Sequence, residues 1–308
     1  MKKILITGGA GFIGSSLISK LIKTYDIYII DNLSTGKLKN IERFNNKIKF
    51  FKKDCEDIFY INSLHHVNFY AILHIAGQAS AEKSFEDPSK DIKSNALSTI
   101  RLLEFCVKNK CRRFIYTSSM SVYGNKNANA KETDVLNPKS FYGLSKLVSE
   151  KYIQMYKKKI NFTIIRLFNV YGPNQNLKDL KQGMVSIYLS QFLDDSHKVV
   201  VKGSLKRFRD FIYIDDVVNF FDKIIKNKRT YNKIYNLGFG RKIFIYNLLN
   251  KIASIGNFKK KIKKRNQTPG DQFGVYANIN KIKKELNFIP KINLDEGLKK
   301  TFIWAKKL

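Results

Sequence analysis

The sequence predicts an α/β fold, a doubly wound parallel sheet carrying a second, smaller mixed α/β lobe. Three observations lead there. Through the first half of the 308 residues, short apolar runs alternate with amphipathic stretches, the rhythm of parallel strands joined by crossover helices. The run at 70–76 is apolar almost throughout, as a strand covered on both faces must be. Gly8, Gly11 and Gly14 follow the first apolar run directly, at the point where strand turns into helix.

Residues 3–7 read as the first strand, and 12–23 as a helix with Ile13, Leu17 and Leu21 on one face. Strands follow at 26–30, 48–52 and 70–76. Residues 89–109 form a long helix, with Ile92, Ala96, Ile100, Leu103 and Val107 in one stripe. A strand at 113–118, a helix at 142–157 and a strand at 162–170 close the first half. After Pro173 the pattern loosens into helices at 184–193, 215–225, 243–255, 281–286 and 294–304, with a short strand at 199–201. No repeat and no low-complexity linker separates the halves, so they should pack closely and form a site between them.

Composition narrows the function. Hydrophobic residues make up 44% of the chain, enough to fold, and no apolar run reaches the length of a membrane span. The start, Met1-Lys2-Lys3 before Ile4-Leu5-Ile6, has the flavour of a signal peptide, but the glycines break it at once; a soluble, cytoplasmic protein is expected. Cys55, Cys106 and Cys111 are odd in number and do not cluster with the four histidines, so free thiols and no metal are expected. The net charge is +32 with only ten Arg. Lysine is spread along the whole chain beside many Asn and Ile, which argues against a nucleic-acid face built on localised arginine. The runs 259–261 and 263–265 are expected to form a solvated face.

The glycines have the spacing Gly-x-x-Gly-x-x-Gly around Phe12 and Ile13. Gly8 suits a tight turn, Gly11 a close backbone approach to a pyrophosphate, and Gly14 close packing of helix on strand. The helix N-terminus then faces the negative charge. Asp31 ends the second strand, where a carboxylate can bind both hydroxyls of an adenosine ribose and repel a 2′-phosphate. That favours NAD over NADP. The fold is thus of the Rossmann type, with residues 1–171 as the NAD-binding domain and 172–308 as a substrate-binding lobe. Parts of 210–240 are expected to pack back on the first domain.

Tyr142 and Lys146 open a helix at positions i and i+4, so hydroxyl and ammonium share one face. A nearby ammonium favours the phenolate, and the expectation is a lowered Tyr142 pKa. Upstream, the segment from Tyr116 to Gly124 places Ser119 at a strand end, where ligands of such sheets bind.

At this point the sequence resembles the extended short-chain dehydrogenase/reductase family, specifically its nucleotide-sugar epimerases and dehydratases. The matching segments are residues 7–14, 31–36, 74–78, 119–124, 142–146, 166–173, 209–217 and 269–271. The resemblance implies that Ser119 and Tyr142 contact the sugar hydroxyl being oxidised and that Lys146 also holds the nicotinamide ribose. It places Asp54 and Cys55 against the adenine, with Asn32 beside Asp31. Asn169 and Arg209 would bind the substrate diphosphate, Arg209 through the bidentate fork of guanidinium, and Asp271 would also bind the substrate. A UDP-linked sugar and a homodimer are expected with the family.

Dehydratases of this kind carry Asp-Glu just after the serine, and decarboxylases a Glu. This chain has Met120-Ser121. The remaining set of Ser, Tyr, Lys and NAD suits reversible oxidation at C4, and therefore 4-epimerisation of UDP-glucose and UDP-galactose or their N-acetylated forms. A dehydratase, decarboxylase or reductase on another nucleotide sugar is the alternative, followed by a non-catalytic NAD-sensing or RNA-binding protein. Two details concern the substrate. Resembling epimerases have an Arg, a contact to the diphosphate, where this chain has Thr268, for which Arg265 or Lys264 would substitute. Val275 stands where a bulky Tyr goes with plain hexoses, so an acetamido group at C2 is expected to fit, unless Tyr276 fills the gap.

Overall fold

The computed structural model describes residues 1–126 and 128–308. Seven parallel strands form the main sheet: β1 (Lys2–Thr7), β2 (Tyr25–Ile30), β3 (Ile48–Phe51), β4 (Phe69–His74), β5 (Arg113–Ser119), β6 (Asn161–Leu167) and β7 (Lys233–Leu237). Their spatial order is β7-β6-β5-β4-β1-β2-β3. The order reverses at β1, whose neighbours are β2 and β4. Ligands of open α/β sheets bind outside the carboxyl ends of strands at such a reversal.

Strand alternation explains the two cores. Ile4 and Ile6 of β1 enter one apolar cluster and Leu5 the other, one on each face of the sheet. Helix α1 (Phe12–Leu21) buries Leu17, Ile18 and Leu21. The predicted helix over 89–109 is interrupted: α2 (Pro88–Ile92) and α3 (Ser98–Lys108) are joined by a π-helical turn at Lys93–Leu97. The extra residue turns the buried face, so Ile92 is 54% exposed while Asp91 and Asn95 are buried. Helix α4 (Phe141–Met155) starts at Ser140, whose hydroxyl accepts from Gly143 N at 3.1 Å.

The expected strand at 162–170 is divided. After β6, Phe168 N donates to Leu237 O and Asn169 N to Asp210 O, and Asn169–Tyr171 pairs in parallel with Phe211–Tyr213 outside the main sheet. Strand β7 had no counterpart in the sequence reading, and helix α5 (Ile214–Ile225) packs on α1. The lysine-rich strand Lys261–Arg265 is exposed along its whole length and pairs with Lys198–Lys202. Among the described residues, no helix is long and apolar enough to cross a membrane, and no group of three or more His, Cys, Asp or Glu could hold a metal ion.

Candidate active site

The turn between β1 and α1 is shaped by its glycines. Gly8 has φ +70°, and a Cβ on Gly14 would lie 2.1 Å from the Gly8 carbonyl oxygen. A Cβ on Gly11 would meet only that same oxygen, at 3.3 Å. Gly11 caps α1 without any side-chain hydrogen bond, so the first-turn N–H groups are left for a ligand. Asp31 is buried and fixed by backbone donors, Ala10 N at 2.9 Å and Leu33 N at 2.8 Å. Each oxygen keeps a free lone pair for a ribose hydroxyl. Burial pushes its pKa up, and the backbone hydrogen bonds oppose that. Asn32 donates to Asp54, and Cys55 is buried just beyond, its thiol pushed up by burial. These features fit NAD: a diphosphate on the glycine turn, the ribose on Asp31, the adenine beside Asp54 and Cys55.

A cavity of about 720 Å³ opens at the carboxyl ends of the central strands, the size of a small-molecule site. Phe12, Ile13, Ser119, Tyr142, Lys146 and Asn169 line it, as do Arg209 and Asp271 from the second half. Ser119 ends β5, and its hydroxyl accepts from Ser121 N at 3.1 Å. Helix α4 reaches this turn because residue 143 is glycine. A Cβ there would lie 2.7 Å from the Ser121 carbonyl oxygen.

The electrostatics of the pair differ from expectation. Burial pushes the Tyr142 phenol up to about 12, with the Ser119 hydroxyl drawing it down and the Asp91 charge pushing further up. The Lys146 ammonium is buried and donates to the Thr117 carbonyl at 3.0 Å. Burial brings the Lys146 pKa down to about 8, against the upward pull of Asp91 and Glu150. Tyr142 therefore holds its proton at neutral pH in the ligand-free protein.

On the opposite wall, Asp271 sits between two buried guanidiniums. Arg209 Nη2 donates to its Oδ1 at 2.9 Å, and Arg207 Nη1 reaches its Oδ2. Arg209 thus pairs with Asp271 and remains at the cavity wall. Asn169 Nδ2 donates to the Asp210 carbonyl at 3.0 Å. Arg265 lines the cavity beside Thr268, whereas Lys264 does not. Arg207 was not singled out in the sequence; the signal was a second arginine two positions before Arg209. Asp91 and Asn95 were also missed, and Gln78 was noted only as part of the segment 74–78; all three bond behind α4.

Val275 is not brought to the cavity. It is wholly buried in the apolar core and absent from the lining, so the argument that it borders the sugar loses its geometric basis. Tyr276 does not enter the lining either; its ring lies 6.3 Å from Phe208.

The fold and site together define a dinucleotide-dependent enzyme of the short-chain dehydrogenase/reductase type, with a Ser-Tyr-Lys centre. Residues 4–238 match the model of the NAD dependent epimerase/dehydratase family, to which the chain belongs. It is 34% identical over 308 residues to a putative UDP-glucose 4-epimerase of Methanocaldococcus jannaschii, covering 98% of both chains. Among solved structures it resembles the UDP-glucose 4-epimerase of Thermotoga maritima, crystallised with UDP-glucose (TM-score 0.93, 31% identity, 99% of both chains). It also resembles the UDP-N-acetylglucosamine 4-epimerase of Methanobrevibacter ruminantium M1, in complex with UDP-N-acetylmuramic acid (TM-score 0.91, 28% identity, 99% of this chain and 98% of that one).

Proposed function

We propose that the chain is a nucleotide-sugar 4-epimerase, interconverting UDP-glucose and UDP-galactose or their N-acetylated forms through a 4-keto sugar. The observation that carries this reading concerns the carboxylates of the cavity. Among the described residues its lining holds Glu82, Asp194 and Asp271. Each is held by a cation: Glu82 by Lys202 at 2.6 Å, Asp194 by Lys260 at 2.8 Å, Asp271 by Arg207 and Arg209. No free acid–base pair stands beside Ser119 to eliminate water, because Met120 and Ser121 occupy that turn. What is left is proton exchange at one hydroxyl, by Tyr142 with Ser119 as hydrogen-bond partner and Lys146 as the fixed positive charge. NAD, when bound, supplies a reversible hydride acceptor and, when oxidised, a positive ring charge that favours the phenolate. Arg209, Arg207 and Asn169 line one wall of the cavity, where they would meet the diphosphate.

The lobes 1–171 and 172–308 would bind NAD and the sugar respectively, with β7 belonging to the first. A homodimer in the cytoplasm is part of the proposal. Supporting it, Phe141, Leu144, Tyr152 and Met155 lie on one outward stripe of α4 and are all exposed. The test is to incubate purified protein, without added cofactor, with a panel of nucleotide sugars and to read products by NMR. Interconversion of C4 epimers with no net NADH is expected. A deoxy-keto product, a decarboxylated pentose or a stoichiometric demand for NADPH would overturn the reading.

A further inference from the structure

Helix α2 ends in a carboxylate that the motifs of the site leave unexplained. Asp91 is wholly buried. Its oxygens accept from Gln78 Nε2 at 2.8 Å, Asn95 Nδ2 at 3.2 Å and Ser145 Oγ at 2.6 Å. All three donors are neutral, and no salt bridge reaches it among the described residues. An ionised carboxylate buried with neutral partners only is costly unless a cation lies near.

That cation is one residue along α4. Lys146 follows Ser145, and its buried ammonium has a single protein acceptor among the described residues, the Thr117 carbonyl. The loop after β4 shows how close the two clusters come. A Cβ on Gly77 would lie 2.3 Å from Asn95 Oδ1 and 3.2 Å from Lys146 Nζ. Asn95 in turn bonds both Asp91 and Ser145.

The other groups facing Lys146 do not serve as its counter-charge. From β5, the Tyr116 ring centroid is 4.9 Å away. From β4, His74 is buried between Thr7 and Thr99, and burial pushes its pKa well below the usual value, leaving it neutral. From α4 itself, Tyr142 holds its proton. Glu150, the other nearby carboxylate, is taken by Arg166, with Nε at 2.9 Å and Nη2 at 2.7 Å.

We propose that the Asp91 carboxylate is the counter-charge of the Lys146 ammonium, and so a positioning residue for the Ser119-Tyr142-Lys146 centre. It acts through Lys146 and touches no reacting atom. The π turn after α2 is what aims it there, by turning a polar face of the helix onto α4. The inference rests on the roles proposed for Tyr142 and Lys146, but its first test needs no sugar.

That test is a pH titration of purified protein labelled with ¹³C at the lysine side chain. Surface lysines titrate near 10.4, so a lysine titrating near 8, absent in Lys146→Met, is resolved from them. In Asp91→Asn it should titrate lower, by on the order of one pH unit. The substitution keeps the hydrogen bonds: Oδ1 still accepts from Gln78 and Asn95, while Nδ2 donates to Ser145 Oγ. The Ser145 hydroxyl then turns to the Tyr142 carbonyl, already 3.0 Å away. Should Asp91→Asn not fold, the reciprocal measurement in Lys146→Met decides. The carboxyl resonance of Asp91 should titrate at higher pH there than in the native chain. In turnover, both limbs of the pH profile of Asp91→Asn should move to lower pH, because the carboxylate raises both Lys146 and Tyr142. An unmoved lysine titration in Asp91→Asn, or an unmoved aspartate titration in Lys146→Met, overturns the proposal. A protein that shows the coupled titrations but epimerises no sugar would instead overturn the proposed function.

Discussion

Replacing Lys146 with methionine should make the ligand-free protein more stable at neutral pH, not less. The ammonium is buried, and its pKa falls from 10.5 to about 8 in the folded chain. A drop of that size corresponds to about 3 kcal/mol of destabilisation by the charged form. Methionine fills similar space without the charge. Losing the hydrogen bond to the Thr117 carbonyl offsets about 1 kcal/mol, which leaves a net gain of about 2 kcal/mol. The sign with pH follows from the depressed folded pKa. Below pH 8 the native lysine is charged in both states, and the full penalty is present. As pH rises from 8 through 10.5, only the unfolded chain still binds the proton, and the penalty disappears. The assay is urea unfolding of both NAD-free proteins at pH 7 and pH 10. The variant should lead at pH 7, and the two should converge at pH 10. A variant less stable at pH 7, or a gap that does not change with pH, would refute the reasoning.

Other perturbations probe the remaining links. Tyr142→Phe should lower turnover by roughly 10²–10⁴-fold while NAD stays bound, as read by activity and by nucleotide content; near-normal activity would remove Tyr142 from the mechanism. Gly14→Ala places a Cβ 2.1 Å from one backbone atom and 2.7 Å from another, so purified protein should lose its NAD, and cofactor retained at the native level would contradict the role of the turn. Arg166→Met strands the buried Glu150 carboxylate and should cost about 3–5 kcal/mol in urea unfolding. Adding Glu150→Leu should recover most of that loss, and simple additivity of the two single effects would count against the ion pair.

The parallel sheet was legible because buried strands are apolar runs, and β1 through β6 stand where those runs lie. Strand β7 was not, for two reasons. Its residues Lys-Ile-Tyr-Asn-Leu mix charge and amide with apolar groups, and it follows a long excursion into the second half. Its polar members have tertiary partners that no local pattern reveals. Asn236 accepts from Tyr123 at 2.6 Å, and Lys233 pairs with Glu285 at 2.8 Å. The break in the long helix was hidden by the same logic. Hydrophobic periodicity locates apolar faces, and here the face turned inward near the site is polar: Asp91, Asn95, Ser98 and Thr99 are buried while Ile92 is exposed.

The motif residues converge as their spacing implied, since a glycine turn and an i,i+4 pair are local geometry. Their protonation is not local. Lys146 lies on the same helix face as Tyr142, yet burial outweighs it, and the phenol also feels Asp91, 51 positions upstream and of opposite sign. The lysine, expected to tune the tyrosine, is itself tuned, downward by burial and upward by the carboxylates of Asp91 and Glu150. In the ligand-free protein, then, the proton rests on Tyr142, and the base form needs further positive charge in the cavity. Under the proposed function, a centre arranged this way would couple activation of Tyr142 to occupancy of the cofactor site, which no spacing rule within α4 could have shown.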